Sequence, residues 1–124
     1  MRKPIMVEGA ARPAGQYSHA VIANGLVFIS GQGPADPATN KVPDGFADQV
    51  RQTLRNVRTV LRGAGADLTD VVKVNAYLSD VTRFHEYNAI YREFFAESPP
   101  ARTTVGGQLV GIQIEIDCVA VLAE

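Results

Sequence analysis

The sequence predicts an α+β fold: a sheet of about six strands with two helices packed on one of its faces. Three observations lead there. Asn24-Gly25 joins two apolar runs in "YSHAVIANGLVFISGQ", a hairpin signal because both turn residues tolerate positive φ. Phe46, Val50, Leu54, Val57 and Leu61 recur at helical spacing. The chain end, "GIQIEIDCVAVLAE", alternates with the period of a strand.

Taken in order, a short first strand is expected around Ile5 to Val7, followed by the hairpin. "GPADPATNKVPDG", residues 33 to 45, is rich in Pro, Gly, Asp and Asn and reads as a loop. The first helix follows and stops at Gly63-Ala64-Gly65. "DVVKVNAYLSD" reads as a buried strand. "VTRFHEYNAIYREFFAES" reads as a second helix whose inner side carries Phe84, Tyr87, Tyr91 and Phe94 or Phe95, ended by Pro99 and Pro100. Residues 103 to 109 and 112 to 122 complete the sheet.

The last strand says most about assembly. Ile112, Ile114, Ile116, Cys118, Ala120 and Leu122 share one face, the core face. Gln113, Glu115, Asp117, Val119 and Val121 share the other, which begins polar and ends apolar. Two helices cover only one side of such a sheet, so the valines on the other side need a partner subunit. Glu115 then lies at the edge of a subunit contact, a partly dehydrated setting suited to a general acid or base.

Composition narrows the function classes. A chain of 124 residues is expected to form one domain, residues 1–124. Twelve Lys and Arg against thirteen Asp and Glu create no global field that calls for nucleic acid or an anionic membrane. No segment approaches the ~18 apolar residues of a membrane span, and the expectation is a soluble, cytoplasmic protein. Cys118 is the only cysteine, so neither a disulfide framework nor a thiolate zinc cluster is available, and its place on the inner face reads as a small buried hydrophobe. His19 and His85 stand alone without metal-ligand spacing, and no metal site is expected.

Several stretches coincide, in order and over almost the whole chain, with one family. "GQYSHA", "FISGQGPADPAT", "QTLRNVRTVLRGAGADLTDVVKVNAYLSD", "YNAIYREFF", "PPARTTV" and "IEIDCVAV" together resemble the RidA/YjgF family, also known as the endoribonuclease L-PSP or translation-inhibitor family. The "SGQ" after a hairpin strand, the "PAR" before a strand and the "IEI" near the end are its most specific parts. The resemblance implies a chorismate-mutase-like fold with a mixed sheet, a homotrimer, and ligand clefts between adjacent subunits. It also implies hydrolysis of reactive enamines and imines such as 2-aminoacrylate to 2-keto acids and ammonia, with no cofactor.

Residue by residue, the resemblance gives Arg102 the role of gripping the substrate carboxylate, which a planar guanidinium does at both oxygens and a lysine does not. Read alone, the same arginine could bridge subunits or pair with Glu115 or Asp117. Glu115 matches the glutamate that positions or activates the attacking water; Tyr17 matches a cleft tyrosine, otherwise a packing residue at a strand start. Ser30 and Gly31 match a cleft lining in which a hydroxyl and a close backbone approach orient the substrate. Asn88 matches a second-helix asparagine near the same site.

Two departures stand out. Thr104 occupies a position where relatives competent as deaminases often have cysteine, and it offers no thiolate. The connection "TTVGGQLVGIQI" is shorter and richer in glycine than in the best-known deaminases. Two other functions stay open. Arg51, Arg55, Arg58 and Arg62 form a basic ridge that could contact RNA phosphates, though no RNA-stacking aromatic motif or pair of catalytic histidines accompanies it. A trimeric sensor that binds a 2-keto acid without turnover needs only Arg102, whereas hydrolysis also calls for Glu115.

Overall fold

The computed structural model describes residues 1–122. Six strands, β1 (Lys3–Ile5), β2 (Ala20–Ala23), β3 (Leu26–Gln32), β4 (Val71–Leu78), β5 (Ala101–Gly106) and β6 (Ile114–Val121), form one sheet in the order β1-β2-β3-β6-β4-β5. All neighbours are antiparallel except β4 and β5, so the sheet is mixed. The helices α1 (Phe46–Gly63) and α2 (Phe84–Phe94) fall in the connections β3-α1-β4 and β4-α2-β5. Both connections move the same way across the sheet. Right-handed crossovers therefore deliver both helices to one face, where they pack on each other.

The hairpin forms as its sequence demands: Asn24 and Gly25 have φ of 51° and 74°, the left-handed pair of a tight turn. In α1 the apolar stripe Phe46, Val50, Leu54, Val57 and Leu61 is wholly buried. Asp48 in its first turn and Arg62 in its last complement the helix dipole, and Gly65 leaves the helix at φ 93°. On β6, Ile114, Ile116, Cys118 and Ala120 join that core, and the alternate residues face away from the helices.

Two buried polar side chains of α1 hold the loop that precedes it. Asn56 donates to the carbonyls of Gly33 and Ala35, each at 2.8 Å. Gln49 donates to the Pro43 carbonyl and accepts the Gln113 backbone N–H at 2.9 Å, which fixes the chain two residues before Glu115. His19, also buried, accepts the Val7 N–H at Nδ1 and donates from Nε2 to the Ala11 carbonyl, tying the N-terminal segment to the sheet.

Boundaries differ from expectation where such contacts intervene. The first strand is Lys3–Ile5 instead of Ile5 to Val7, because the Val7 N–H turns to His19 and leaves the ladder. Tyr17 lies in the loop before β2 rather than at a strand start. The expected second helix opens with a 3-10 turn at Val81–Arg83, capped by the Asp80 carboxylate accepting the Thr82 N–H, and α2 ends at Phe94. The next strand starts at Ala101, not 103, because parallel pairing with β4 reaches back to Lys73↔Ala101 and draws Arg102 into the sheet.

Candidate active site in two halves

The six candidate residues form two groups on opposite faces of the sheet. Arg102 pairs in register with Val74, whose side chain is in the core, and therefore points to the helix side of edge strand β5. There its Nη1 donates to Asn88 Oδ1 at 2.8 Å. Its guanidinium carbon stands 4.5 Å from the ring centre of Tyr91, 5.3 Å from Tyr87 and 5.6 Å from Phe84. These rings lie along α2 at spacings of three and four residues, so one helix face supplies the aromatic seat and Asn88 beside it. Stacking of Tyr91 on Phe95, 4.7 Å between centroids, stiffens the seat.

Arg102 makes no ion pair with Glu115 or Asp117 in the chain; among the described residues its polar partner is Asn88. A hollow of about 410 Å³ opens over it, walled by Asn88, Tyr91, Phe95, Pro99 and Pro100. Thr104, two residues on and on the same face, shares a 2.9 Å hydrogen bond with the Tyr87 hydroxyl. Burial pushes the phenols of both Tyr87 and Tyr91 upward, against the pull of Arg102, so both hydroxyls keep their protons near Arg102. The Tyr91 hydroxyl is buried with no hydrogen-bond partner among the described residues.

Glu115 occupies the other half. It pairs in register with Tyr77 on the face away from the helices. A Cβ built on Gly31 would come within 2.5 Å of Glu115 Oε2, so the missing side chain at position 31 is what lets the carboxylate lie across β3. The close backbone approach expected of Gly31 is thus made to Glu115. Among the described residues the Glu115 carboxylate accepts no hydrogen bond. Its neighbour Asp117 accepts from Asn75 Nδ2 at 2.9 Å and, with Glu115 adding to the effect, raises the phenol of Tyr77.

Tyr17 and Ser30 belong to this half. Tyr17 lines two adjoining hollows, one shared with Ser30 and the other with Gly31. Its hydroxyl oxygen accepts the Ala14 N–H at 2.8 Å, which leaves the phenolic proton to donate. Ser30 donates its own proton to the Ser18 carbonyl at 2.6 Å, so toward a ligand it can only accept.

The sequence reading missed the aromatic seat of Arg102. Phe84, Tyr87 and Tyr91 were expected as core, which they partly are, and their spacing with Asn88 was the signal that they serve the arginine as well. The basic ridge of α1 is largely absorbed by structure: Arg51 pairs with Glu93, Arg62 with Asp67, and Arg58 lies over the Phe94 ring. Cys118 is buried as expected, and burial first, then Asp117, pushes its thiol up to about 12.

On the face that carries Glu115, Phe28 pairs with Val119 and Leu26 with Val121, and both Phe28 and Val121 are more than two-fifths exposed. No helix of the described chain is long and apolar enough to cross a membrane.

Comparison with known proteins agrees with this architecture. The family model described as endoribonuclease L-PSP matches residues 8–122. A RutC family protein of Pyrococcus horikoshii is 42% identical over 123 residues, spanning 97% of this chain and 98% of its own. A 2-iminobutanoate/2-iminopropanoate deaminase of Bos taurus is 38% identical over 124 residues, spanning 98% and 90%. The crystal structure of the yeast protein YEO7 superposes with a TM-score of 0.95 at 36% identity, over 99% of this chain and all of that one. The chain therefore belongs to the endoribonuclease L-PSP family, the RidA/YjgF family that its sequence resembles.

Proposed function

We propose that the protein is an enamine and imine deaminase, hydrolysing 2-aminoacrylate-type intermediates to 2-keto acids and ammonia in clefts between the subunits of a homotrimer. The observation that carries this reading is the division of the site. Arg102 and Glu115 lie on opposite faces of one chain, and the face of Glu115 ends in exposed Phe28 and Val121 beside half-buried Val119. A second copy that covers this face brings the Glu115 half of one subunit to the Arg102 half of its neighbour.

In the joined cleft the substrate carboxylate sits on the free edge of the Arg102 guanidinium, whose other edge is held by Asn88. Water adds to the imine carbon, Glu115 takes a proton as the C–O bond forms, and the C=N electron pair moves to nitrogen. Returning the proton to nitrogen lets the C–N bond break while Glu115 takes the proton of the new hydroxyl, giving the carbonyl and ammonia. Tyr17 donates and Ser30 accepts along the cleft, while Gly31 keeps room for the Glu115 carboxylate. No cofactor takes part, because protonated imines are already electrophilic. The relative from Bos taurus bears the name of this activity, which supports the reading.

A 2-keto acid sensor without turnover would use the same Arg102 half, which is fully formed in a single chain. One experiment separates the two. Purified protein is added to an amino-acid oxidase or dehydratase that releases an imine, and ammonia release is timed. Deamination predicts faster release in proportion to added protein, from a species three times the 13.3 kDa chain mass by light scattering. Binding of 2-oxobutanoate with release at the uncatalysed rate makes the protein a sensor.

A further inference from the structure

A second arginine lines the hollow over Arg102. Arg92 lines it from α2, one turn beyond Asn88 on the same helix face. Among the described residues Arg92 forms no ion pair, unlike Arg51, Arg62 and Arg83. No acidic side chain lines this hollow: its walls are Tyr91, Phe95, Ala96, Pro99 and Pro100, with Asn88 as the neutral polar group. Within one chain two arginines line a largely apolar space with no acidic wall, and in the joined cleft the partner subunit's Glu115 serves the imine group, which leaves the second arginine for a further negative group on the ligand.

We propose that this site selects substrates with a second carboxylate, namely 2-imino diacids of four or five carbons and the 2-keto diacids they yield. The inference rests on the deaminase reading for the role of Arg102. Arg92 and Arg102 line the same hollow from α2 and β5, so one ligand filling it can meet both. Carboxylates separated by two or three carbons lie about 4–6 Å apart by ordinary bond lengths. The 2-imino carboxylate takes Arg102, stacked and fixed by Asn88, and the distal carboxylate reaches Arg92 at the open rim. Pro99 and Pro100 close the side of the hollow and restrict the chain leading into Arg102. Arg92 is exposed, so its contribution is that of a screened pair, and it changes selectivity more than total affinity.

Calorimetry tests this with 2-oxoglutarate, oxaloacetate and 2-oxobutanoate on the wild-type assembly, Arg92→Gln and Arg102→Ala. The expected result is a preference of roughly two- to fivefold for the diacids, the size of one added screened pair. That preference should shrink in 0.5 M salt and vanish in Arg92→Gln. Equal affinity for diacid and monoacid in the wild type, or a preference that survives Arg92→Gln, overturns the inference while leaving the deaminase reading intact. If Arg102→Ala binds 2-oxobutanoate as the wild type does, Arg102 is no carboxylate anchor, and both readings fall together.

Discussion

The two halves of the site are built to different standards. Around Arg102 one helix provides three aromatic rings and an asparagine, and the guanidinium is held before any ligand arrives. Around Glu115 the described residues provide room but no hydrogen bond to the carboxylate, on a sheet face with large apolar residues uncovered. The first half is finished within one chain. The second has open surroundings, which in the proposed assembly another copy covers. A preformed anchor costs little ordering when substrate binds, whereas a carboxylate whose environment depends on assembly becomes useful only in the oligomer.

On that contrast, the largest effect belongs to Glu115→Gln. It should slow imine hydrolysis about a hundredfold to ten-thousandfold, the usual cost of a lost general base. Affinity for 2-oxobutanoate should stay near wild type, because glutamine keeps the shape and Arg102 is untouched. Ammonia-release rates set beside calorimetry on one preparation check both halves of this claim; unchanged turnover would make Glu115 an ordinary strand carboxylate.

A smaller effect is expected from Gly31→Ala. The new methyl would occupy the place of the Glu115 carboxylate, 2.5 Å from Oε2, and that flexible side chain must move aside. Misplacing a reacting group by about an ångström costs on the order of tenfold to a hundredfold in rate. Thermal unfolding should shift little, since a side-chain end yields more easily than backbone. A variant that turns over normally would show that Gly31 does not hold Glu115 in its working position.

The smallest effect lies on the core side of the same strand. The Cys118 thiol, pushed up to about 12 from 9.0, stays neutral in the folded protein where the unfolded chain would ionise. Its contribution is fully present below pH 9, declines as pH rises from 9 toward 12, and has a slope of at most about 1.4 kcal/mol per pH unit. Urea midpoints measured at pH 8, 9 and 10 should fall, and fall less steeply in Cys118→Ala. Equal slopes would mean that the thiol is not sealed from water.

Much of this was readable in the chain itself, for physical reasons that differ by element. The turn at Asn24-Gly25, the stripe of α1 and the alternation of β6 are local patterns, and each formed as its period required. The uncovered face of β6 was also legible, since Val119 and Val121 fall on the side without helices. What the sequence hid was non-local. "ARTTVG" carries no apolar alternation, so nothing in it told which face Arg102 would take; parallel pairing with β4 decided that. Tyr87 and Tyr91 looked like core because they are core, and their second role under Arg102 appears only once β5 lies beside α2. The polar clamps Gln49, Asn56 and His19 likewise depend on loops that meet them from far along the chain.

The central claim, that one working site takes Arg102 from one subunit and Glu115 from its neighbour, has a direct test. Arg102→Ala and Glu115→Gln chains, each inactive alone, are unfolded together in equal amounts and reassembled, and ammonia release is measured. In mixed trimers some clefts receive the intact arginine of one chain and the intact glutamate of the other, and about a quarter of wild-type activity should return. Activity no greater than the sum of the two separate variants, in trimers shown to contain both chains, would contradict the account.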